Sequence, residues 1–379
     1  MSDKDVQQVL VQENVRRSCP VTIVTGFLGS GKTTLLNYIL TDPNHGQRIA
    51  VVENEFGEQI GVERLVAKDG KGGTVDLDDL FVELSNGCIC CAVKDNLVTT
   101  LEGLLKRAGD KFDHIIIETS GLADPGPLAA VFWLDEELES QLFLNGIVTV
   151  VDLKNLERHL DDPHKLNTGY VNEALKQISY ADQLLLNKTD LVSSRDKERT
   201  MHRIRQINPL AQVHCTKYSR VNLDTILNIR GFELDSGIKC MTELQSSLIK
   251  KEKQASGINL SSDLHVNHSH DKLVQSVVVK ETKPLDFSKV KRWIGELLWE
   301  PDAESGLDIF RVKGILNIHN EKHIFVVQAV HETFEIEASK ELWTSKSFEN
   351  EDRESRIIFI GRNLKAAKLS LRACVYGQT

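Results

Sequence analysis

The sequence lacks the features of a membrane, secreted or strongly cationic protein. Its longest apolar runs, such as Ile147–Val151, are far shorter than the roughly 20 residues that a membrane-spanning helix requires. The N-terminal segment is polar and has no apolar stretch of the kind found in secretory signals, and neither end carries a lipidation motif. With 46 Lys and Arg against 55 Asp and Glu, the formal net charge is −9. This balance argues against whole-chain electrostatic binding to nucleic acid, so neither a membrane nor a nucleic acid is expected as a partner.

Cysteine is scarce and unevenly placed. The chain of 379 residues has seven cysteines, an odd number, and three of them lie within Cys88–Cys91. This pattern favours metal or redox chemistry in a reducing compartment over a disulfide framework. The expected location is therefore the cytoplasm, with the nucleus as a further compartment.

Apolar runs rich in β-branched residues alternate with helical patterns from residue 20 to about residue 231. The predicted strands are Val21–Thr25, Ile49–Glu53, His114–Glu118, Ile147–Val151, Gln183–Leu186 and Val213–Thr216. Such alternation predicts an α/β fold, a P-loop domain whose mostly parallel sheet has helices on both faces, because parallel strands need long crossovers.

The rest of the chain predicts a second, smaller domain. A polar N-terminal tail (1–19) precedes the first domain (20–231), and a polar linker containing histidines (232–273) follows it. Residues 274–379 predict a small α+β domain with one amphipathic helix, an antiparallel sheet and a final helix. The predicted elements are a strand at Ser276–Lys280, a helix from Phe287 to Leu298, and strands at Phe310–Ile318, Ile324–Val330, Thr333–Ile336 and Arg356–Ile360.

The strongest motif is a phosphate-binding loop. Residues Gly26–Thr33 read GFLGSGKT, which matches G-x-x-x-x-G-K-[ST], and the match lies between a predicted strand and a predicted helix. Glycines allow the backbone N–H groups and the helix N-terminus to face phosphate oxygens. Lys32 is expected to contact the β- and γ-phosphates, and the Thr33 hydroxyl to bind Mg²⁺. The predicted nucleotide-binding residues here are Gly26, Phe27, Leu28, Gly29, Ser30, Gly31, Lys32, Thr33 and Thr34.

A second motif predicts which nucleotide base the protein binds. Asn187-Lys188-Thr189-Asp190 follows an apolar strand, and the carboxylate of Asp190 would accept hydrogen bonds from N1–H and the 2-amino group of guanine. Adenine has no donors there, so GTP is favoured over ATP. The alternative is that Asn187 and Asp190 only cap the following helix.

The apolar run Ile115–Ile117 ends in Glu118 and, three residues later, Gly121. Glu118 occupies the Walker-B position, where it would bind Mg²⁺ directly or through water, and Gly121 would let the backbone approach the γ-phosphate. Lys32 and Glu118 are therefore the predicted catalytic residues. No glutamine follows to orient the attacking water, so slow hydrolysis is expected unless a metal, a partner or a dimer completes the site.

Cys88, Cys90 and Cys91 can present three soft ligands to one ion, and tetrahedral Zn²⁺ is the common match. An incomplete ligand shell suits a carrier that releases its ion. Two alternatives stay open, namely small buried cysteines and a redox pair. Glu53 is a candidate further zinc ligand.

Three histidines in the linker also have metal-binding spacing. This spacing predicts an accessory zinc site formed by His265, His268 and His270. The alternative is that the linker is merely polar. Cys19, Cys240, Cys374, His214 and Cys215 are interpreted as structural.

Over residues 20–373 the sequence resembles the CobW-type metallochaperone GTPases. The segments that carry this resemblance are GFLGSGKTT, ENEFGE, NGCICC, ETSGLADPGP and NKTD. FLNGIVTVVD and IFIGRNL are similar to the eukaryotic branch of zinc-regulated GTPase metalloprotein activators. The resemblance implies a GTPase that binds zinc at Cys88, Cys90 and Cys91 and hydrolyses GTP to GDP to transfer the ion to a client apo-metalloprotein.

In the eukaryotic branch the implied client is a type 1 methionine aminopeptidase, recognised in part through an N-terminal C-P-x-L-V-P-like motif. This sequence has only Cys19-Pro20, so a different client stays open. Cobalt and nickel overlap with zinc in ligand preference. The sequence also fits two other functions, a regulatory GTPase with a structural metal or thiol cluster and a zinc buffer. A homodimer that depends on nucleotide or metal is a further expectation.

Overall fold

The computed structural model describes residues 19–42, 46–54, 65–68, 92–108, 112–134, 141–161, 172–239, 241–242, 274–300, 306–344, 353–365, 367 and 369–377. None of the helices within these ranges is long and apolar enough to cross a membrane.

The first domain is a seven-stranded sheet with helices on both faces. Its strands are β1 (Cys19–Thr25), β2 (Ile49–Asn54), β3 (Leu65–Lys68), β4 (His114–Thr119), β5 (Leu142–Asp152), β6 (Gln183–Asn187) and β7 (Gln212–Cys215). The helices are α1 (Lys32–Thr41), α2 (Ala92–Ala108), α3 (Pro125–Leu134), α4 (Leu156–Leu160), α5 (Glu173–Tyr180), α6 (Ser194–Ile207) and α7 (Asp224–Leu227). The strand order is β3-β2-β4-β1-β5-β6-β7, and only β3 is antiparallel to its neighbour.

Burial explains the sequence of the central strands. Every residue of β4 is buried, and its apolar run Ile115–Ile117 has no polar alternation because helices cover both faces of a parallel sheet. All six predicted strands of this domain are present, and the predicted fold class is confirmed. The short strand β3 was not predicted from the sequence.

The second domain is a five-stranded antiparallel sheet with one long helix. Its elements are β8 (Gln275–Glu281), α8 (Phe287–Trp299), β9 (Asp308–Leu316), β10 (His323–Val330), β11 (Thr333–Leu342) and β12 (Ser355–Arg362), in the sheet order β11-β10-β9-β12-β8. The expectation of a final helix was wrong for the described residues. After β12 they contain a single 3₁₀ turn, Arg372–Cys374, with Cys374 buried against the domain core.

The predicted linker begins in folded structure. Residues 234–239 are helical, and the Phe232 ring lies 5.0 Å from the Trp133 ring of α3. Residues 243–273 lie outside the described part of the chain, so the linker and its boundaries stay predictions.

Apolar side chains form three buried clusters. One lies under α1 and includes Leu35 and Ile39, and a second lies between the C-terminal sheet and α8. The third and largest is shared by both domains, since Phe310 of β9 packs in the same cluster as Phe132 of α3. The two domains are therefore joined by a common hydrophobic core.

Candidate functional site

The carboxyl ends of β1, β4, β5 and β6 meet at one edge of the first sheet. This edge is the usual ligand position in open α/β sheets. The phosphate loop follows β1, Glu118 lies near the end of β4, Asp152 ends β5 and Asn187 ends β6. The structure thus brings the two nucleotide motifs of the sequence together.

The phosphate loop has the backbone conformation that its glycines allow. Gly26 has φ = 140°, and a Cβ atom there would lie 2.1 Å from the Val150 carbonyl oxygen. Gly31 has φ = 112° and precedes the first residue of α1, Lys32. Only glycine fits these positions without strain. The N-terminus of α1 therefore opens directly onto the loop, as a phosphate site requires.

Lys32 and Phe27 hold the loop in shape. The buried Lys32 Nζ donates a hydrogen bond to the Gly26 carbonyl at 2.8 Å, which closes the loop on itself. The Phe27 ring lies 3.9 Å from the His159 ring of α4. Leu28, by contrast, is 78% exposed at the loop tip.

The predicted magnesium residues lie close together. The Thr33 hydroxyl is 3.5 Å from a carboxylate oxygen of Glu118, and Glu118 is buried. Next to Glu118, the Thr119 hydroxyl donates to the Thr25 hydroxyl at 2.8 Å and ties the ends of β4 and β1 together. Both residues offer hard oxygen atoms, the kind of ligand that Mg²⁺ prefers.

Gly121 approaches the phosphate loop. A Cβ atom on Gly121 would lie 2.7 Å from the Leu28 backbone nitrogen, so only glycine allows this approach. The sequence predicted a close approach to the γ-phosphate, and the structure shows Gly121 close to Leu28 of the phosphate loop.

Asn187 connects the predicted base-binding segment to the phosphate loop. Its Nδ2 donates to the Ser30 carbonyl and to the Ser219 hydroxyl, both at 2.9 Å. Its Oδ1 accepts from the Ser219 backbone N–H at 2.9 Å and from the Thr216 hydroxyl at 3.2 Å. The alternative of simple helix capping is contradicted, because Ser193 caps α6 by accepting from the Asp196 N–H. Asp190 lies exposed in a 3₁₀ turn at the same edge.

Lys188 is held by a buried carboxylate that sequence reasoning missed. Its Nζ donates to the Gly29 carbonyl and to Asp152, both at 2.7 Å, and its backbone has φ = 62°. Burial acts to raise the pKa of Asp152, but the bonds from Lys188 and Asn155 outweigh it and hold the pKa below its ordinary value. Asp152 is therefore ionised at neutral pH, where it forms a salt bridge with Lys188. Its signal in the sequence was an aspartate ending the apolar run Ile147–Val151.

Several predicted metal residues lie outside the described structure. These are Cys88, Cys90, Cys91, His265, His268 and His270. For Glu53 the backbone alone is described, and in the β2–β4 register it is paired with Glu118. Within the part of the chain that the structure describes, no group of three or more His, Cys, Asp or Glu side chains could hold a metal ion.

The structure describes three cysteines outside the cluster, and they are of two kinds, buried and exposed. Burial raises the pKa of Cys19 to about 12 and that of Cys374 to about 11, so both stay protonated at neutral pH. Cys215 is exposed at the end of β7. Because the thiolate is the metal-binding form, their burial works against metal binding by Cys19 and Cys374.

The fold and the site define a P-loop GTPase, with a phosphate loop after β1, an acid near the end of β4 and an Asn-Lys-x-Asp segment after β6. The CobW/HypB/UreG nucleotide-binding domain matches residues 20–215, and the C-terminal domain of cobalamin synthesis protein CobW matches residues 274–375. The chain belongs to the CobW/HypB/UreG family, as its motifs predicted.

Similar proteins support this placement. Zinc-regulated GTPase metalloprotein activator 1 of Schizosaccharomyces pombe is 40% identical over 359 residues, which cover 91% of this chain and 82% of that protein. Zinc chaperone YjiA of Escherichia coli is 30% identical over 347 residues, covering 91% and 94%. The crystal structure of Zn(II)-bound YjiA GTPase from E. coli matches with a TM-score of 0.63 and 27% identity, covering 92% of this chain and 96% of that one.

Proposed function

We propose that this protein is a zinc metallochaperone that uses GTP binding and hydrolysis to deliver Zn²⁺ to a client metalloenzyme. The proposal depends on one observation at the carboxyl ends of the strands, where the nucleotide motifs meet. There Glu53 of β2 is in register with Glu118 of β4. A metal site reached through β2 would then adjoin the nucleotide site.

The names of similar proteins support zinc as the cargo. One relative is a zinc-regulated GTPase metalloprotein activator and another a zinc chaperone, and both align with about nine-tenths of this chain. Because both names refer to zinc, zinc is the metal that we propose here.

We assign the cargo site to Cys88, Cys90 and Cys91. These three thiols lie within four residues and can therefore reach one ion together, whereas Cys19 and Cys374 are buried separately and burial raises their pKa. Glu53 is the proposed fourth ligand, and His265, His268 and His270 form the proposed accessory site.

Thr33 and Glu118 would hold Mg²⁺ with the nucleotide. When bound, Mg²⁺ neutralises charge on the phosphate oxygens. The chain itself binds phosphate through the loop N–H groups, contributes the Lys32 charge, and selects guanine through Asp190, while Asn187 and Lys188 hold the base-binding segment against the phosphate loop.

The proposed partners are GTP and GDP and an apo-metalloprotein client in the cytoplasm. A type 1 methionine aminopeptidase is one candidate client, and a metalloenzyme of another class is the alternative. Dimerisation that depends on nucleotide or metal would supply a group to orient the attacking water.

The cargo site is tested by replacing all three clustered cysteines. We expect Cys88→Ser/Cys90→Ser/Cys91→Ser to lose at least about a hundredfold in zinc affinity, since soft thiolates are replaced by weak hydroxyl ligands. Competition with a chromophoric chelator measures the affinity. Cys215→Ser, at an exposed cysteine, is the matched control and should bind zinc like the wild type. Unchanged zinc stoichiometry in the triple variant would refute the site.

The delivery step is tested separately. Zinc-loaded protein is mixed with an apo-aminopeptidase in the presence of GTP, GDP or a non-hydrolysed GTP analogue, and peptidase activity is followed. Faster activation with GTP supports the proposal. A regulatory GTPase with a structural metal would show no activation and the same hydrolysis rate with and without zinc.

A further inference from the structure

Helix α5 lies between the nucleotide edge and the C-terminal domain. On one side it holds the Gly121 loop (residues 120–124), which follows Glu118. The buried Gln177 Nε2 donates to the Gly121 carbonyl at 3.1 Å and to the Ala123 carbonyl at 3.2 Å. Lys176 forms a 2.6 Å salt bridge with Asp124 at the end of the same loop. Three bonds from two adjacent residues thus fix the loop against α5.

Helix α5 also contacts strand β9 of the C-terminal domain. The Tyr180 ring lies 5.6 Å from the Phe310 ring, and Lys176 Nζ lies 6.0 Å from the centre of the same ring. The Tyr180 carbonyl accepts a hydrogen bond from Arg311. Lys176 therefore touches both the Gly121 loop and the second domain.

The packing beneath α5 leaves little freedom. A Cβ atom on Gly126 of α3 would lie 2.4 Å from the Tyr180 ring, so α3 and α5 pack tightly where the loop enters α3. The Thr149 hydroxyl of β5 donates to the Gln177 carbonyl at 2.7 Å and fixes the helix on the sheet. Close-packed contacts of this kind transmit small displacements.

We propose that Gln177 and Lys176 are positioning residues for the Gly121 loop, and that Phe310 of the C-terminal domain sets their position through α5. The C-terminal domain then controls the rate of GTP hydrolysis without touching the nucleotide. Any protein that binds this domain and shifts β9 would change that rate. The inference rests on the GTPase activity and not on the proposed zinc role.

The first test removes the bonds to the loop. We expect Gln177→Met, of similar length and without a donor, to lower kcat about tenfold, the scale of two lost hydrogen bonds. The KM for GTP and the Kd for GDP should stay within about twofold, because the phosphate loop and the base segment keep their contacts. Lys176→Met should act in the same direction, and Lys176→Arg, which keeps the charge, should restore kcat. An unchanged kcat, or an equal loss of affinity for GDP, would contradict the proposal.

The second test crosses the domain boundary. Phe310→Leu removes the ring against Tyr180 and should lower kcat at least about threefold with unchanged Kd for GDP. Phe359→Leu is the matched control, since Phe359 is fully buried in the separate C-terminal core and its ring packs on Trp293 at 5.8 Å. Both substitutions are assayed well below the melting temperature of each variant. Equal effects on kcat from the two, or no effect from Phe310→Leu, would overturn the coupling.

Discussion

At the residue scale, a single buried charge connects the base-binding segment to the phosphate loop. Asp152 shows this clearly, because it pairs with Lys188, which also bonds to the phosphate loop through Gly29. Neither residue of this pair can move without disturbing both the base segment and the loop.

We expect Asp152→Asn to weaken GDP and GTP binding about tenfold, since the half-buried Lys188 loses its counter-charge. The asparagine Oδ1 can still accept the backbone bonds that Asp152 receives from Lys154 and Asn155, so the turn should persist. Fluorescence titration with a labelled GDP measures the effect. Asp113→Asn, which loses an exposed pair with Arg48 at the opposite edge of the sheet, is the control and should bind GDP normally.

A buried histidine links folding to pH. Burial lowers the pKa of His114 to about 3, and its Nε2 lies 2.8 Å from the Thr22 hydroxyl. Between about pH 6.5, the ordinary pKa, and pH 3 the unfolded chain binds a proton that the folded chain excludes. Stability is therefore expected to fall as the pH drops through this window, by up to about 1.4 kcal/mol per pH unit.

His114→Gln, which keeps a hydrogen-bonding side chain, should flatten this dependence. Denaturant unfolding at pH 7, 6, 5 and 4 compares the slopes. Parallel slopes for wild type and variant would show that other groups cause the acid sensitivity.

At the scale of elements, one glycine is required for nucleotide binding and another only lowers the stability of a helix. Gly26→Ala places a methyl group against the Val150 carbonyl oxygen and should abolish nucleotide binding. Gly103 lies in the interior of α2, and no atom of the described residues would lie within 4 Å of a Cβ there, so Gly103→Ala should raise stability by about 0.5–1 kcal/mol and leave binding intact. Thermal unfolding and GDP titration of both variants distinguish the two roles, and normal GDP binding by Gly26→Ala would contradict the loop assignment.

Elements with strong local signals were predictable from the sequence. The run Ile115–Ile117 has no polar alternation, so it indicated a strand covered on both faces, and the structure has one there. The phosphate loop was equally clear, since its glycine spacing has a direct backbone reason.

Elements that depend on distant contacts were not predictable. The four residues of β3 have weak local propensity and are a strand because they pair with β2. Ser219 fixes Asn187 through contacts 32 residues away in sequence, and nothing in its own neighbourhood signals this. The predicted final helix failed because the last described residues pack as a 3₁₀ turn and an isolated bridge from Leu285 to Val375.

At the scale of the whole molecule, a buried ionic cluster joins the two domains. Asp182 accepts from Arg311, lies 3.5 Å from Lys313 and accepts the Ile147 N–H at 2.9 Å. Burial acts to raise the pKa of Asp182, but Arg311 and Lys313 outweigh it and hold the pKa below its ordinary value. The cluster fixes β9 on the start of β6.

We expect Asp182→Asn to destabilise the protein by about 3–5 kcal/mol, because two buried cations lose their shared anion. Asp161→Asn removes a carboxylate that is 58% exposed from its pair with Arg203 and should cost under about 1 kcal/mol. Calorimetric unfolding measures both. Equal costs would mean that the domains are held by the shared apolar core alone.

The proposed function depends above all on coupling between the zinc site and the GTP site. Zinc affinity measured with a GTP analogue and with GDP, together with the affinity of the GTP analogue with and without zinc, tests this coupling most directly. We predict that the zinc affinities differ, by a factor of about 5 or more, and that zinc changes nucleotide affinity reciprocally. Identical zinc affinities in the two nucleotide states would contradict the coupling.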